Sequence, residues 1–151
     1  MASAHLTLAN RMDELPRLDR EAAAFLETVG APPAAGYAVS LALEELVTNI
    51  IKYGYDDAAG HEIGVDLAWN DGELRLTVRD DGHPFDPLSA PAPDLDLPVD
   101  ERPVGGLGLH LVRQFFPEAR YRREGECNVL ELCRPATCDH AMYWRISMSE
   151  T

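Results

Sequence analysis

The chain has 151 residues, of which 46% are hydrophobic and 26% charged, a composition that favours one globular domain with a single core. Its 26 acidic residues outnumber 13 basic ones, and the resulting net charge of −13 disfavours binding to nucleic acid or to anionic membranes. No apolar run approaches the roughly 18 residues that span a bilayer, and the first residues lack the pattern of a secretory signal. We therefore expect a cytoplasmic protein that binds neither nucleic acid nor membrane.

The first third of the chain predicts one strand and two helices. Residues 4–8 favour a short edge strand. Residues 11–29 carry apolar side chains at helical spacing and are followed by a glycine and two prolines, which end a helix. A second helix is expected over residues 34–53, ending near Gly54.

The second predicted helix carries Glu45 and Asn49 four residues apart, on the face opposite its apolar residues. Both side chains offer oxygen atoms, which Mg²⁺ prefers and usually shares with nucleotide phosphates. A carboxylate one helical turn away can accept a proton from a hydroxyl group. Taken alone, the pair is also compatible with an ordinary solvated helix face.

The next region changes to the alternation of strands. Residues 63–69 and 74–78 alternate apolar and polar side chains around an Asn-Asp-Gly turn, which predicts an antiparallel hairpin. Asp80 continues the apolar row of the second strand and should point inward, whereas Asp81 should face solvent. An inward aspartate needs hydrogen-bond partners, and Gly82 allows a backbone or ligand to approach closely. The alternative is an ordinary Asp-Gly turn at a strand end.

The remaining chain predicts a lid, a helix and a last hairpin. Residues 83–104 are rich in proline and acidic residues, as expected of a lid. Residues 105–109 follow as a glycine-rich helix start, where backbone N–H groups and the helix dipole favour a phosphate, although Gly-x-Gly alone is weak evidence. Residues 119–124 and 127–133 predict two strands, and residues 136–151 a C-terminal tail.

The helix with Glu45 and Asn49, the strand end at Asp80 and the glycine-rich helix start after the lid follow one another along the chain. In this order, the three segments resemble those of the GHKL ATP-binding family, and within it the stand-alone anti-sigma factor serine/threonine kinases of the RsbW and SpoIIAB type. Residues 45–55 resemble the asparagine box, residues 78–87 the first glycine box, and residues 105–109 the second glycine box. The resemblance covers residues 4–134. It implies an α+β fold, a two-layer α/β sandwich with a mixed, mostly antiparallel sheet and helices on one face, and a single ATP-binding kinase-like domain over residues 1–135.

The resemblance also implies a role for individual residues, with ATP and Mg²⁺ as cofactors. Glu45 is the expected general base, Asn49 the expected ligand of Mg²⁺, and Asp80 the expected acceptor of the adenine amino group. The other residues expected to bind the nucleotide are Lys52, Gly82, Phe85, Arg102, Gly105, Gly106, Leu107, Gly108 and Leu109.

The function implied by the resemblance is that of an anti-sigma factor. Such a protein phosphorylates a serine or threonine of a STAS-type antagonist and sequesters a sigma factor, and a homodimer is a further expectation. Val104 stands where some of these kinases carry an arginine, and Arg102 lies slightly earlier. The alternative function is therefore a nucleotide-gated partner-switching module with little or no kinase activity. A histidine-kinase-like catalytic domain is disfavoured, because no dimerisation helix with a phosphoacceptor histidine is expected before the domain.

Overall fold

The computed structural model describes residues 1–89, 96, 98 and 106–135. Its main elements are β1 (Ala2–Ala9), α1 (Leu15–Thr28), α2 (Pro33–Tyr53), β2 (Glu62–Asn70), β3 (Glu73–Asp80), α3 (Gly106–Phe115), β4 (Glu118–Glu124) and β5 (Cys127–Pro135). Every strand and helix expected from the sequence is present, with ends shifted by a few residues. Most of the expected lid, from residue 90 onward, and the whole expected tail lie outside the described residues, apart from positions 96 and 98.

The five strands form one sheet in the order β1-β2-β3-β5-β4, and each neighbouring pair is antiparallel. The hairpin between β2 and β3 turns at Asp71 and Gly72, whose φ angles of 50° and 78° are those of a tight two-residue turn. In the register of β3 with β5, Asp80 lies opposite Asn128. The expected α+β fold is confirmed, with antiparallel pairing throughout the described sheet.

The core lies between one face of the sheet and the helices. Alternate residues of β2 and β3 point into it and are at most 3% exposed: Ile63, Val65, Leu67, Leu74, Leu76 and Val78. From the helical layer, α1 and α2 contribute Leu18, Ala22, Leu26, Ala38, Val39, Ala42, Leu43, Leu46 and Val47. Each buried leucine or valine contributes about 1.5–3 kcal/mol relative to an exposed one. This packing fixes the position of α2 across the sheet.

The first helix begins later than expected. Residues Met12–Glu14 form a 3-10 turn, and α1 starts at Leu15, four residues after the start of the predicted range 11–29. Pro16 lies in the first turn of α1, where its missing N–H and fixed φ fit a helix start. The proline thus favours a helix start next to itself, although the apolar spacing extends further back.

Helix α2 is long and apolar enough to cross a membrane by length and composition alone, although Glu44 and Glu45 interrupt its apolar sequence. In this fold it is a core helix, and the buried residues along it include Ala35, Leu43 and Val47. Its other side carries Glu45 and Asn49. The helix is apolar because it packs against neighbours on more than one side.

Candidate functional site

Helix α2 presents Glu45 and Asn49 at the boundary of the core. Both side chains are partly buried, while Leu46 and Val47 between them are buried. Within the described part of the chain, neither the Glu45 carboxylate nor the Asn49 amide forms a hydrogen bond or ion pair. Neither residue is fully buried, so water can reach this part of α2. Both side chains are therefore available to bind a ligand.

The start of α3 lies directly against Glu45. Helix α3 begins at Gly106, as the glycine-rich sequence predicted. A Cβ atom at Gly108 would overlap the Glu45 carboxylate, so glycine permits this approach. The first turn of α3, which carries the positive end of the helix dipole, therefore adjoins the carboxylate on α2.

The end of β3 lies against the C-terminal end of α2. The backbone N–H of His83 donates a hydrogen bond of 2.9 Å to the carbonyl oxygen of Gly54. A Cβ atom at Gly82 would come within 2.6 Å of the same carbonyl oxygen. Helix α2 thus contacts the second glycine box through Glu45 and the first glycine box through Gly54, with Asn49 between these two contacts.

Asp80 is buried at the end of β3, at 6% exposure, whereas Asp81 is exposed, as the strand alternation predicted. Its Oδ1 atom accepts two hydrogen bonds, from the backbone N–H of Gly82 at 2.9 Å and from Nδ2 of Asn128 at 3.0 Å. The described residues form no hydrogen bond to Oδ2. The carboxylate is therefore fixed through one oxygen, and the other is available as an acceptor.

Asn128 is a site residue that the sequence reading missed. It lies on β5 with 7% exposure and bonds to three parts of the first glycine box: Asp80, the carbonyl oxygen of His83 and the backbone N–H of Phe85. A signal was available, because Asn128 continues the inward row of Leu130 on β5. A polar residue in a core-facing row needs a partner, and here the partner is the equally inward Asp80.

The other expected site residues differ in their exposure and in their position relative to Glu45, Asn49 and Asp80. Lys52 is exposed in the last turn of α2, and Phe85 is 53% exposed. Leu109 packs in the hydrophobic core, and Leu107 belongs to α3. Arg102 and Gly105 lie outside the described residues.

A histidine–aspartate cluster lies beside the first glycine box. His61 contacts Asp57 through Nε2 at 2.8 Å and Asp81 through Nδ1 at 3.2 Å, and its ring stacks on Tyr55 with 4.2 Å between ring centroids. Hydrogen bonds to Asp57 and then to Asp81 raise the pKa of His61, and the same contact lowers the pKa of Asp57. Burial, reinforced by the charges of Asp80 and Asp81, raises the pKa of the Tyr55 hydroxyl. The cluster joins the α2–β2 loop to the residues that follow β3.

An open cleft of about 410 Å³ lies next to this cluster. The described residues that line the cleft include His61, His83, Arg123 and Glu126. Of the residues expected to bind the nucleotide, this lining includes Gly82. Arg123 donates a hydrogen bond of 2.8 Å to the carbonyl oxygen of Gly82. No group of three or more His, Cys, Asp or Glu residues suited to a metal ion occurs in the described ranges 1–89 and 106–135 or at positions 96 and 98.

The chain belongs to the histidine kinase-like ATPase domain family, which it matches over residues 8–134. It is 29% identical over 96 residues to the serine/threonine-protein kinase BtrW of Bordetella bronchiseptica, a match that covers 64% of this chain and 68% of BtrW. It is also 29% identical over 96 residues to the serine-protein kinase RsbW of Bacillus cereus, covering 61% of this chain and 59% of RsbW. The family resemblance inferred from the three boxes is thereby confirmed.

Among solved structures, the fold is similar to that of the RsbU and RsbW domains of a Mycobacterium tuberculosis protein. The TM-score is 0.60 at 20% identity, and the likeness covers 89% of this chain and 32% of that one. At this identity the likeness shows the fold alone. The matches cover 59% of RsbW and 32% of the Mycobacterium tuberculosis chain, so this chain spans only part of the length of these relatives.

Membership of the family implies that the protein uses ATP, usually with Mg²⁺. The residues present fit these ligands, because Glu45 and Asn49 are partly buried without partners among the described residues. The glycine at position 108 leaves room in front of Glu45, and Asp80 keeps one carboxylate oxygen free of described partners. Asn49 would hold Mg²⁺ together with phosphate oxygens, and the ion would neutralise phosphate charge.

Proposed function

We propose that the protein is an ATP-dependent anti-sigma regulatory factor that acts as a serine/threonine kinase. Its substrate would be a STAS-type antagonist, and its second partner a sigma factor that it sequesters in the cytoplasm. One observation carries the proposal: Glu45 and Asn49 form no hydrogen bond or ion pair in the described structure, and both lie on the helix that adjoins the two glycine boxes. Glu45 lies against Gly108 of the second box, and Asn49 lies between that contact and the contact of Gly54 with the first box. Relatives named as serine-protein kinases support the same reaction class.

In this function Glu45 accepts the proton of the attacking serine or threonine hydroxyl. The hydroxyl oxygen forms a bond to the terminal phosphorus of ATP, the bond from that phosphorus to its bridging oxygen breaks, and ADP leaves. Phosphoryl transfer depends mostly on positioning and on stabilising charge. The first turn of α3 supports a phosphate through its backbone N–H groups, and Asp80 accepts a hydrogen bond from the adenine amino group.

The domain organisation belongs to the same proposal. Residues 1–135 form the ATP-binding domain, residues 83–104 its lid and residues 136–151 a tail. The lid supplies Arg102, the second glycine box begins at Gly105 directly after the lid, and Lys52 adds a positive charge at the end of α2. The proposal also includes a homodimer, which a measurement of the molecular mass in solution would test.

The experiment is transfer of labelled phosphate from ATP to a purified STAS-type antagonist. Glu45→Ala should lower the transfer rate about 10²- to 10⁴-fold, the usual contribution of a general base, while ATP binding is kept. Glu44→Ala is the matched control, because Glu44 is the exposed neighbour on the same helix. A Glu45→Ala variant that transfers phosphate at the full rate would remove Glu45 from the mechanism.

A second candidate function is a nucleotide-gated partner-switching module with little or no kinase activity. Val104 favours it, because an arginine next to the second glycine box is missing and a phosphate-contacting cation contributes strongly to phosphoryl transfer. In the same experiment, tight ATP binding without any phosphorylated antagonist would favour this module over the kinase.

A further inference from the structure

Asn128 uses its whole amide group in hydrogen bonds to the first glycine box and to Tyr121 on β4. Its Nδ2 atom donates to Oδ1 of Asp80 at 3.0 Å and to the carbonyl oxygen of His83 at 2.7 Å. Its Oδ1 atom accepts from the backbone N–H of Phe85 at 3.2 Å and from the Tyr121 hydroxyl at 2.5 Å. Donors meet acceptors at all four contacts, as a buried amide requires.

These contacts allow one orientation of the amide. If the group were rotated by half a turn, its oxygen would face the Asp80 carboxylate and the His83 carbonyl, and its NH₂ group would face the two donors. Tyr121 reinforces the observed orientation from β4, because its hydroxyl donates to the amide oxygen. Every hydrogen-bonding atom of the buried amide has a partner, so the amide cannot turn without losing at least one hydrogen bond.

The consequence for Asp80 is a fixed carboxylate. Asn128 and the backbone N–H of Gly82 both bind Oδ1, so the carboxylate cannot rotate without breaking two hydrogen bonds. Oδ2 is then held in one direction as an acceptor. A purine with a 6-amino group can donate to such an atom, whereas a purine with a 6-oxo group places an acceptor against it.

We propose that Asn128 is a positioning residue that makes the nucleotide site selective for 6-aminopurines, by holding Asp80 with Oδ2 presented to the base. This inference rests on the proposed function, because it takes ATP to be the nucleotide bound next to Asp80. Asn128 acts through Asp80 and does not itself contact the base. A purely structural role of Asn128 would instead change the affinity for every purine nucleotide equally.

The test compares the dissociation constants of ATP, GTP and purine riboside 5′-triphosphate, which lacks the 6-amino group, by isothermal titration. The wild-type protein should bind ATP about ten- to a hundredfold more tightly than purine riboside triphosphate, the range expected for a hydrogen bond to a charged group. In Asn128→Ala this ratio should fall towards one, while the affinity for purine riboside triphosphate stays within about twofold. Asn70→Ala is the matched control, because Asn70 is exposed at the end of β2.

Tyr121→Phe is a milder second variant that removes one hydroxyl and keeps the amide, and it decides the question if Asn128→Ala does not fold. Tyr121→Phe should also lower the preference for ATP over purine riboside triphosphate, but by less than Asn128→Ala does. An unchanged ratio in the folded variants, or an equal loss of affinity for all three nucleotides, would overturn the inference. Neither result would contradict the proposal that the wild-type protein binds ATP. If the wild-type protein bound none of the three nucleotides, the proposed function would fail as well.

Discussion

Gly108 at the start of α3 lies so close to the Glu45 carboxylate on α2 that a Cβ atom at position 108 would overlap it. The two residues belong to helices separated by the sheet strands β2 and β3 in sequence. Their contact joins the second glycine box to the asparagine box. The lack of a side chain at position 108 therefore has a direct effect on the proposed general base.

Gly108→Ala should displace the Glu45 carboxylate and leave the fold intact. The overlapping group is the end of a flexible side chain, which can move at little cost in free energy. A misplacement of about 1 Å in a catalytic group lowers a rate roughly a hundredfold. We therefore expect a large fall in phosphate transfer to the antagonist, with little change in the melting temperature.

A double-mutant cycle makes this prediction specific. If Gly108→Ala acts through Glu45, it should lower the transfer rate no further in a Glu45→Ala background. Gly36→Ala on α2 is the control, since a Cβ atom there meets nothing within 4 Å. Equal, additive losses in both backgrounds would show that Gly108 acts independently of Glu45.

Asp80→Ala should remove the preference for adenine nucleotides. The variant lacks the proposed acceptor of the 6-amino group, so the ratio of GTP to ATP dissociation constants should fall towards one in isothermal titration. Asp81→Ala provides the comparison, because the neighbouring carboxylate is exposed and points away from the core. Full adenine selectivity in Asp80→Ala would exclude the proposed role of this carboxylate.

Gly82→Ala should lower the free energy of unfolding by more than Gly36→Ala does. A Cβ atom at Gly82 would lie 2.6 Å from the carbonyl oxygen of Gly54, which is backbone and cannot move away as a side chain can. The hydrogen bond from His83 to the same carbonyl would be strained as well. Chemical denaturation of both variants measures the difference, and equal free energies of unfolding would contradict the packing described for this loop.

The contacts of His61 predict a pH dependence of stability. The folded-state pKa of His61 is raised, so its contribution is complete below the unfolded pKa of about 6.5 and is lost as the pH rises through the folded value. The folded-state pKa of Asp57 is lowered, so its contribution is complete above its unfolded value of about 3.9 and is lost as the pH falls through the folded one. Both contributions are therefore largest between about pH 4 and pH 6.5.

Melting temperatures from pH 4 to pH 9 test this dependence. The difference between wild type and His61→Gln should be largest near pH 5 to 6 and should shrink above that range. His110→Gln is the control, because the His110 ring contacts the neutral amide of Gln114 at 2.9 Å. A difference that stays constant with pH would show that His61 stabilises through packing on Tyr55 alone.

Sequence periodicity predicted the elements and the direction of Asp80, because strand alternation fixes which face a side chain occupies. It also indicated that Gly106 and its neighbours begin a helix. It did not predict the contact of Gly108 with Glu45 or that of Gly82 with Gly54, because both depend on how α2 packs across the sheet. Asn128 was missed although it lies in phase with Leu130, because its significance depends on the register that places it opposite Asp80.

The most direct test of the central claim is isothermal titration of ATP with and without Mg²⁺ against the wild-type protein, Asn49→Ala and the control Glu44→Ala. If α2 and the two glycine boxes form one site for ATP and Mg²⁺, the wild type and Glu44→Ala should bind ATP more tightly with Mg²⁺. Asn49→Ala should lose that Mg²⁺-dependent gain. A wild-type protein that does not bind ATP, or an Asn49→Ala variant with an unchanged dependence on Mg²⁺, would contradict the account.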